Sequence, residues 1–355
     1  MAYTTVDDPE AYHQSLNYTG TAGSASRTWA GSTNMQPDWL WFKNRGGNGW
    51  NILDSTRGVT KYLSFSSAAA QSTWSGFLTS FDSDGFSHGT GDTATNSSGS
   101  SYMAFGFKAN GGTTSSNTDG SITSTVQANT TAGFSIVTYT GTGSAATIGH
   151  GLGTKPTMLL WRMYSDSSDW RMFHEELDET EPQDYLLSTG NAYGHYGRED
   201  NTSWNDTAPT NTVFSINSNL SQNTQSNIVY CFTDIQGYSK FGWYQGRGND
   251  DGTFIYTGFK PTTVFTKETD GAGDWCLTCD KMVSAAGTMG NPTDRALEFN
   301  QSRYEDQLFN IDLVSNGFKI RKNHASSNDA DKIYVYGAWA KEPFVNSNGV
   351  PATAQ

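Results

Sequence analysis

The chain has 355 residues, a formal net charge of −13, 16% charged residues and 13% aromatic residues. A surface this acidic argues against nucleic acid as the main partner, because phosphate binding runs on Lys and Arg. Three cysteines, Cys231, Cys276 and Cys279, are too few for a disulfide framework. No apolar run is long enough for a transmembrane helix, so no membrane insertion is expected.

The composition fits short strands joined by polar turns better than helices. Residues 1–17 read as an N-terminal arm, in which Tyr12 to Leu16 could add a strand or act as an attachment segment. The start, Met1-Ala-Tyr-Thr-Thr-Val, lacks the basic and apolar regions of a signal peptide. A first β-module is expected over 18–110. In it Trp39 and Trp41 alternate onto one face of a strand, and Asn44 to Gly49 form a hairpin loop before Trp50.

Residues 111–130 are expected to be a linker, with Ser121 to Val126 as an alternative edge strand. A second module is expected over 131–240 and a third over 241–345. No linker separates those two, so they should pack as one body. Residues 346–355 read as a loose tail. Three stretches, Ser66–Ser75, Glu175–Glu181 and Asn300–Phe309, could hold short helices.

The modules are defined by a phrase that occurs three times. Pro37 to Lys43, Pro156 to Arg162 and Pro261 to Lys267 each run from a proline through apolar residues to a basic residue six places on. Trp50, Trp170 and Trp275 follow. Upstream stand Tyr18-Thr-Gly20, Tyr139-Thr-Gly141 and Tyr244-Gln-Gly246. Downstream stand Tyr62-Leu63, Tyr185-Leu186 and Ala296-Leu297. The period is domain-sized, longer than that of solenoid or propeller repeats. The expected fold is all-β: three related antiparallel β-sandwich or barrel-like modules in tandem.

No reaction-class constellation can be assembled, so no catalytic residue and no cofactor is expected. Cys276-Leu-Thr-Cys279 has half a zinc site's spacing. On a strand, however, positions i and i+3 point to opposite faces, so buried thiols are expected. Asp82-Ser-Asp84-Gly85 and Asn249-Asp250-Asp251-Gly252 resemble the start of calcium loops but lack the later ligands, and read as polar turns. His174-Glu175-Glu176 invites an acid–base reading. The place four residues after the module tryptophan holds Asp54, His174 or Cys279, which suggests a surface position free to vary. Gly149-His150-Gly-Leu-Gly153 leads into a strand, not into the helix a phosphate cradle needs. The repeated tryptophans read as core. Aromatics outside the repeat, Tyr193, Tyr196, Trp204 and Trp243, read as the possible binding surface.

Several phrases occur in a fixed order: Trp39-Leu-Trp-Phe-Lys-Asn-Arg45, Ser55-Thr-Arg57-Gly58, Ser80-Phe-Asp-Ser-Asp-Gly-Phe86 and Asn117-Thr-Asp-Gly-Ser-Ile-Thr-Ser124. They are followed by Ala132-Gly-Phe-Ser-Ile-Val-Thr-Tyr-Thr-Gly141, Gly149-His-Gly-Leu-Gly153 and Gly237-Tyr-Ser-Lys-Phe-Gly242. Together they resemble a family of virion proteins of tailed bacteriophages, many of them marine. Such proteins are labelled tail-fibre or tail-associated structural proteins. The resemblance spans roughly residues 15–345 and implies a phage particle more firmly than a tail. It carries no catalytic motif.

It implies a non-enzymatic virion component, made in the host cytoplasm, whose partners are other virion proteins and, at a tail position, a host surface glycan. A capsid-attached decoration protein and a carbohydrate-binding or depolymerising tailspike are the alternatives. Three copies in one chain could present a pseudo-threefold face, or the chain could form a homo-oligomer. Homo-oligomerisation is the expectation.

Overall fold

The computed structural model describes residues 4–90, 93–190, 198–199, 202–271, 273–282, 291–307 and 309–352. They form an all-β structure in which one strand order is traced three times. In the first unit the large sheet runs His13–Thr19, Ser101–Phe107, Trp39–Asn44, Asn51–Asp54. The second repeats it as Phe134–Thr140, Ser226–Phe232, Met158–Met163, Arg171–His174, continuing to Tyr185–Ser188 and Arg198–Glu199. In the third it is Ser239–Gln245, Ile333–Pro343, Phe259–Glu268, Cys276–Cys279, Leu297–Glu298. Neighbouring strands are antiparallel in all three.

A smaller sheet backs each large one. The small sheets are Ala25–Arg27, Gly85–His88 and Leu78–Asp82; Ala146–Gly149 with Val213–Ile216; and Phe254–Tyr256, Gly317–Ile320 and Ile311–Val314. Strand alternation then divides each large sheet between two cores. Leu40 and Phe42 face the first unit's own small sheet, while Trp39 and Trp41 face the other way. Leu159 and Trp161 against Met158 and Leu160 repeat this in the second unit, and Val264 against Phe265 in the third.

The inward faces of all three large sheets meet in one central core. Trp339 sits among Phe107 of the first unit, Phe232 of the second and Phe265 of the third, with ring centroids 5.1, 5.6 and 6.1 Å away. Trp39 stacks on Tyr230 at 3.9 Å. Such ring pairs contribute about 0.5–1.5 kcal/mol each beyond their buried area. The second and third modules do pack together, and the first joins them: all three share the core.

The repeated Tyr-x-Gly phrase fastens each unit at its edge. The Tyr18, Tyr139 and Tyr244 hydroxyls donate to the carbonyls of Thr95, Leu220 and Ser327 at 2.6, 2.6 and 2.8 Å. Two residues on, a Cβ added to Gly20, Gly141 or Gly246 would lie 2.1, 2.2 or 2.1 Å from a main-chain carbonyl oxygen. Only glycine allows that approach.

Three further expectations are corrected. The arm adds a strand. Its strand His13–Thr19 is the edge strand of the first sheet, and His13 stacks on Phe107 at 4.3 Å and bonds Thr263 of the third unit at 2.8 Å. Residues 111–130 are not a linker. Ser115–Asn117 and Ser124–Asn129 extend the second sheet, because the polar side chains that read as loop find partners there. Gln127 is buried and its amide bonds Ser55 and Thr56. Of the three helical stretches, only Glu175–Leu177 forms a 3-10 turn among the described residues. The tail is tied back, with the Ser347 N–H donating to Asp7 Oδ1 at 2.7 Å.

Candidate contact surface

The side chains able to do chemistry are largely consumed by the cores. Cys276 lies in the third unit's own core and Cys279 in the central one, on opposite faces of their strand. Burial raises all three thiols, Cys231 and Cys279 to about 12. Burial holds His13, His88 and His174 neutral, down at about 4. Among the described residues no group of three or more His, Cys, Asp or Glu is arranged to hold a metal ion. The Asp82 carboxylate accepts from Ser80 and Ser87, and Asp250 accepts from the Asn323 N–H, as turn residues do.

The position four residues after the module tryptophan is not a surface position. Asp54, His174 and Cys279 are all fully buried, and each joins its unit to the next. Asp54 accepts from the Tyr230 hydroxyl of the second unit at 2.8 Å. His174 Nδ1 accepts from the Glu176 N–H, which leaves Nε2 to donate to the Tyr336 carbonyl of the third unit at 3.2 Å. The Cys279 thiol faces Ser15 of the first unit. Three chemically different side chains thus share one task, and their variety reads as freedom only when the packing is unseen.

The repeated basic residues Lys43, Arg162 and Lys267 are buried too. They donate to main-chain carbonyls: Lys43 to Asn48 and Gln301, Arg162 to Ala69 at 2.6 Å, Lys267 to Glu268 at 2.6 Å. Desolvation pulls both lysines down to about 8. Near them Glu298 is buried beside Asp274. Desolvation first, then that second carboxylate, raise Glu298 to about 7.

Three of the exposed aromatics lie on one corner of the third unit. Trp243 is 48% exposed, Phe254 46% and Tyr256 61%. Trp243 is on the outer strand of the large sheet, and Phe254 and Tyr256 on the outer strand of the small one. Between the two sheet edges is a groove of about 490 Å³, with Tyr336, Gln245, Arg247 and Thr253 in its wall. Tyr256 also borders a neighbouring groove of about 430 Å³ beside Asp234, Lys240 and Phe344. Exposed aromatics gathered in this way suit a contact surface better than scattered ones do.

Of the four residues read as possible binding surface, Trp243 is on this corner. Trp204 is 1% exposed and packs edge-on against Phe173 in the second unit's own core, so it is no contact residue. Its place outside the repeat phrase did not make it peripheral, because the loop carrying it folds back between the sheets. Tyr193 and Tyr196 lie outside the described residues. Phe254 and Tyr256 were missed. By strand register they correspond to Ser26 and Thr28 in the first unit and to Thr147 and Gly149 in the second. That change from polar to aromatic was the available signal.

Over residues 8–343 the chain matches the family described as a domain of unknown function, DUF7483. The chain belongs to the DUF7483 family. Comparison with curated proteins and with solved structures gave no match. The DUF7483 match starts before the first strand and ends with the last strand of the third large sheet, so it takes in all three units.

Proposed function

We propose that this chain is a non-enzymatic structural component of a tailed-phage particle, tail-associated, with the aromatic corner of its third unit as an assembly contact. The observation that carries the reading is the closure of three sheets around a single aromatic core. Such a body is a rigid block. Its cysteines and the histidines His13, His88 and His174 are buried in packing, and Trp243, Phe254 and Tyr256 gather on one corner. The resemblance of its ordered phrases to phage virion proteins supports the particle. Labelling the chain in purified particles and imaging them tests this. Density at the tail supports the reading; absence from particles overturns it.

A second reading is favoured by the same corner. Trp243, Phe254 and Tyr256 beside Arg247 and Gln245 could stack on and hydrogen-bond a host surface glycan. Titration with host polysaccharide, read by tryptophan fluorescence in the chain and in Trp243→Ala, separates the two. A response lost in the variant favours glycan recognition.

A further inference from the structure

Strand Ser239–Gln245 is the outer strand of the third large sheet, paired on one side with Ile333–Pro343. Main-chain groups of residues 239, 241, 243 and 245 point to the other side, because they alternate along an antiparallel strand. Some of these outward groups are already satisfied. The Ser239 N–H donates to Ile235 at 2.9 Å, and its carbonyl accepts from Ile235 at 3.1 Å. The Phe241 N–H donates to Asp234 Oδ1 at 2.8 Å, and the Gln245 carbonyl accepts from Thr253 Oγ1 at 2.6 Å. Four groups have no partner among the described residues: the Phe241 carbonyl, the Trp243 N–H and carbonyl, and the Gln245 N–H.

We propose that this edge pairs antiparallel with the same edge of a second copy of the chain, about a twofold axis at Trp243. In that register residue 243 faces 243 and residue 245 faces 241. The Trp243 N–H and carbonyl then bond their counterparts in both directions. Each Gln245 N–H meets the other copy's Phe241 carbonyl. The two groups such a pairing would also use, the Phe241 N–H and the Gln245 carbonyl, are the two that Asp234 and Thr253 already satisfy. The open set is therefore self-complementary, as a twofold contact requires.

Two further observations support a strand at this place. The second unit shows the same edge filled. There Phe134, Ile136 and Thr138, the equivalents of Ser239, Phe241 and Trp243, pair with Asn129, Gln127 and Thr125 from the chain's own hairpin. The open stretch Phe241-Gly-Trp-Tyr-Gln245 also carries no charged side chain, the usual guard of an exposed edge. Pairing would cover Trp243 and bring the Phe254 and Tyr256 corner against the partner. The inference names the partner of the contact surface proposed above. It is independent of the particle assignment, since association is measured on the purified chain and the assignment on virions.

The test is sedimentation velocity of the full chain from low to high micromolar concentration, with amide hydrogen exchange at Trp243 and Gln245. The expected result is a dimer, with both amides slowing as concentration rises. Trp243→Pro removes the outward donor, which an edge strand tolerates, and Trp243→Lys places a charge at the axis. Each should weaken association about tenfold or more. A chain that stays monomeric overturns the proposal, including one whose Trp243 responds only to oligosaccharide. Exchange at the two amides that is indifferent to concentration also overturns it, as does a dimer untouched by both variants. The exchange measurement needs only the unaltered chain, so the proposal stays falsifiable if a variant fails to fold.

Discussion

The Trp50 indole Nε1 donates to the main-chain carbonyl of Glu298 at 2.7 Å, joining residues 248 positions apart. Trp170 makes the same bond to Ser64, also at 2.7 Å. The first unit is thereby bonded to the third and the second to the first. The third joint is different. Strand register aligns Leu63, Leu187 and Leu297, so Ser188 stands where Ser64 and Glu298 do, and Thr189 where Phe65 and Phe299 do. The Trp275 indole has no hydrogen-bond partner among the described residues, and Trp275 and Thr189 are both among the residues that line a cavity of about 30 Å³ in the central core.

This asymmetry predicts unequal effects of one substitution. Trp50→Phe and Trp170→Phe each lose an indole hydrogen bond as well as ring volume and should destabilise by about 1–3 kcal/mol. Trp275→Phe loses volume but no bond and should be milder than either. Denaturant unfolding of the three variants checks the ranking.

The buried ionisable groups predict a pH optimum with two limbs. His13, His88 and His174 have folded values near 4, below their ordinary value of 6.5. The stability they contribute is present above pH 6.5 and is lost as pH falls toward 4. Glu298 has the opposite sign. Its folded value, about 7, lies above its ordinary 4.5, so its contribution is complete below pH 4.5 and is lost as pH rises through 7. Glu298→Gln should remove that second slope and stabilise the chain at pH 8. Unfolding free energies from pH 4 to pH 9 for both proteins test this, and an unchanged slope above pH 5 would contradict it.

Trp204 and Trp243 should part company under one substitution. Trp204→Ala empties a core site and should destabilise by about 3–5 kcal/mol. Trp243→Ala, at a half-exposed edge, should leave the stability of the monomer within about 0.5 kcal/mol. Chemical denaturation of dilute samples measures both.

The repeat and the all-β class were legible because a proline, an apolar run, a base and a tryptophan recur at nearly fixed spacing. The shared core was not. Strand Trp39–Asn44 is buried on both faces, so it reads as a continuous apolar run that does not say which sheet covers it. The 111–130 hairpin was hidden by its polar composition, since the buried Gln127 amide donates to Ser55 and Thr56 of another unit. A one-residue offset also mattered. Sequence spacing aligned Leu186 with Leu63, whereas pairing aligns Leu187, and a slip of one turns a strand residue to the other face. Trp243 was singled out because it lies outside the repeated phrase, and it is half-exposed where the other units hold Asn17 and Thr138.

Three units that close on one core should unfold as one body. Calorimetry of the dilute full chain, with tryptophan fluorescence followed over the same temperature range, tests it most directly. One transition is expected, coincident by both probes, with equal calorimetric and van't Hoff enthalpies. Separate transitions for the three units would contradict it.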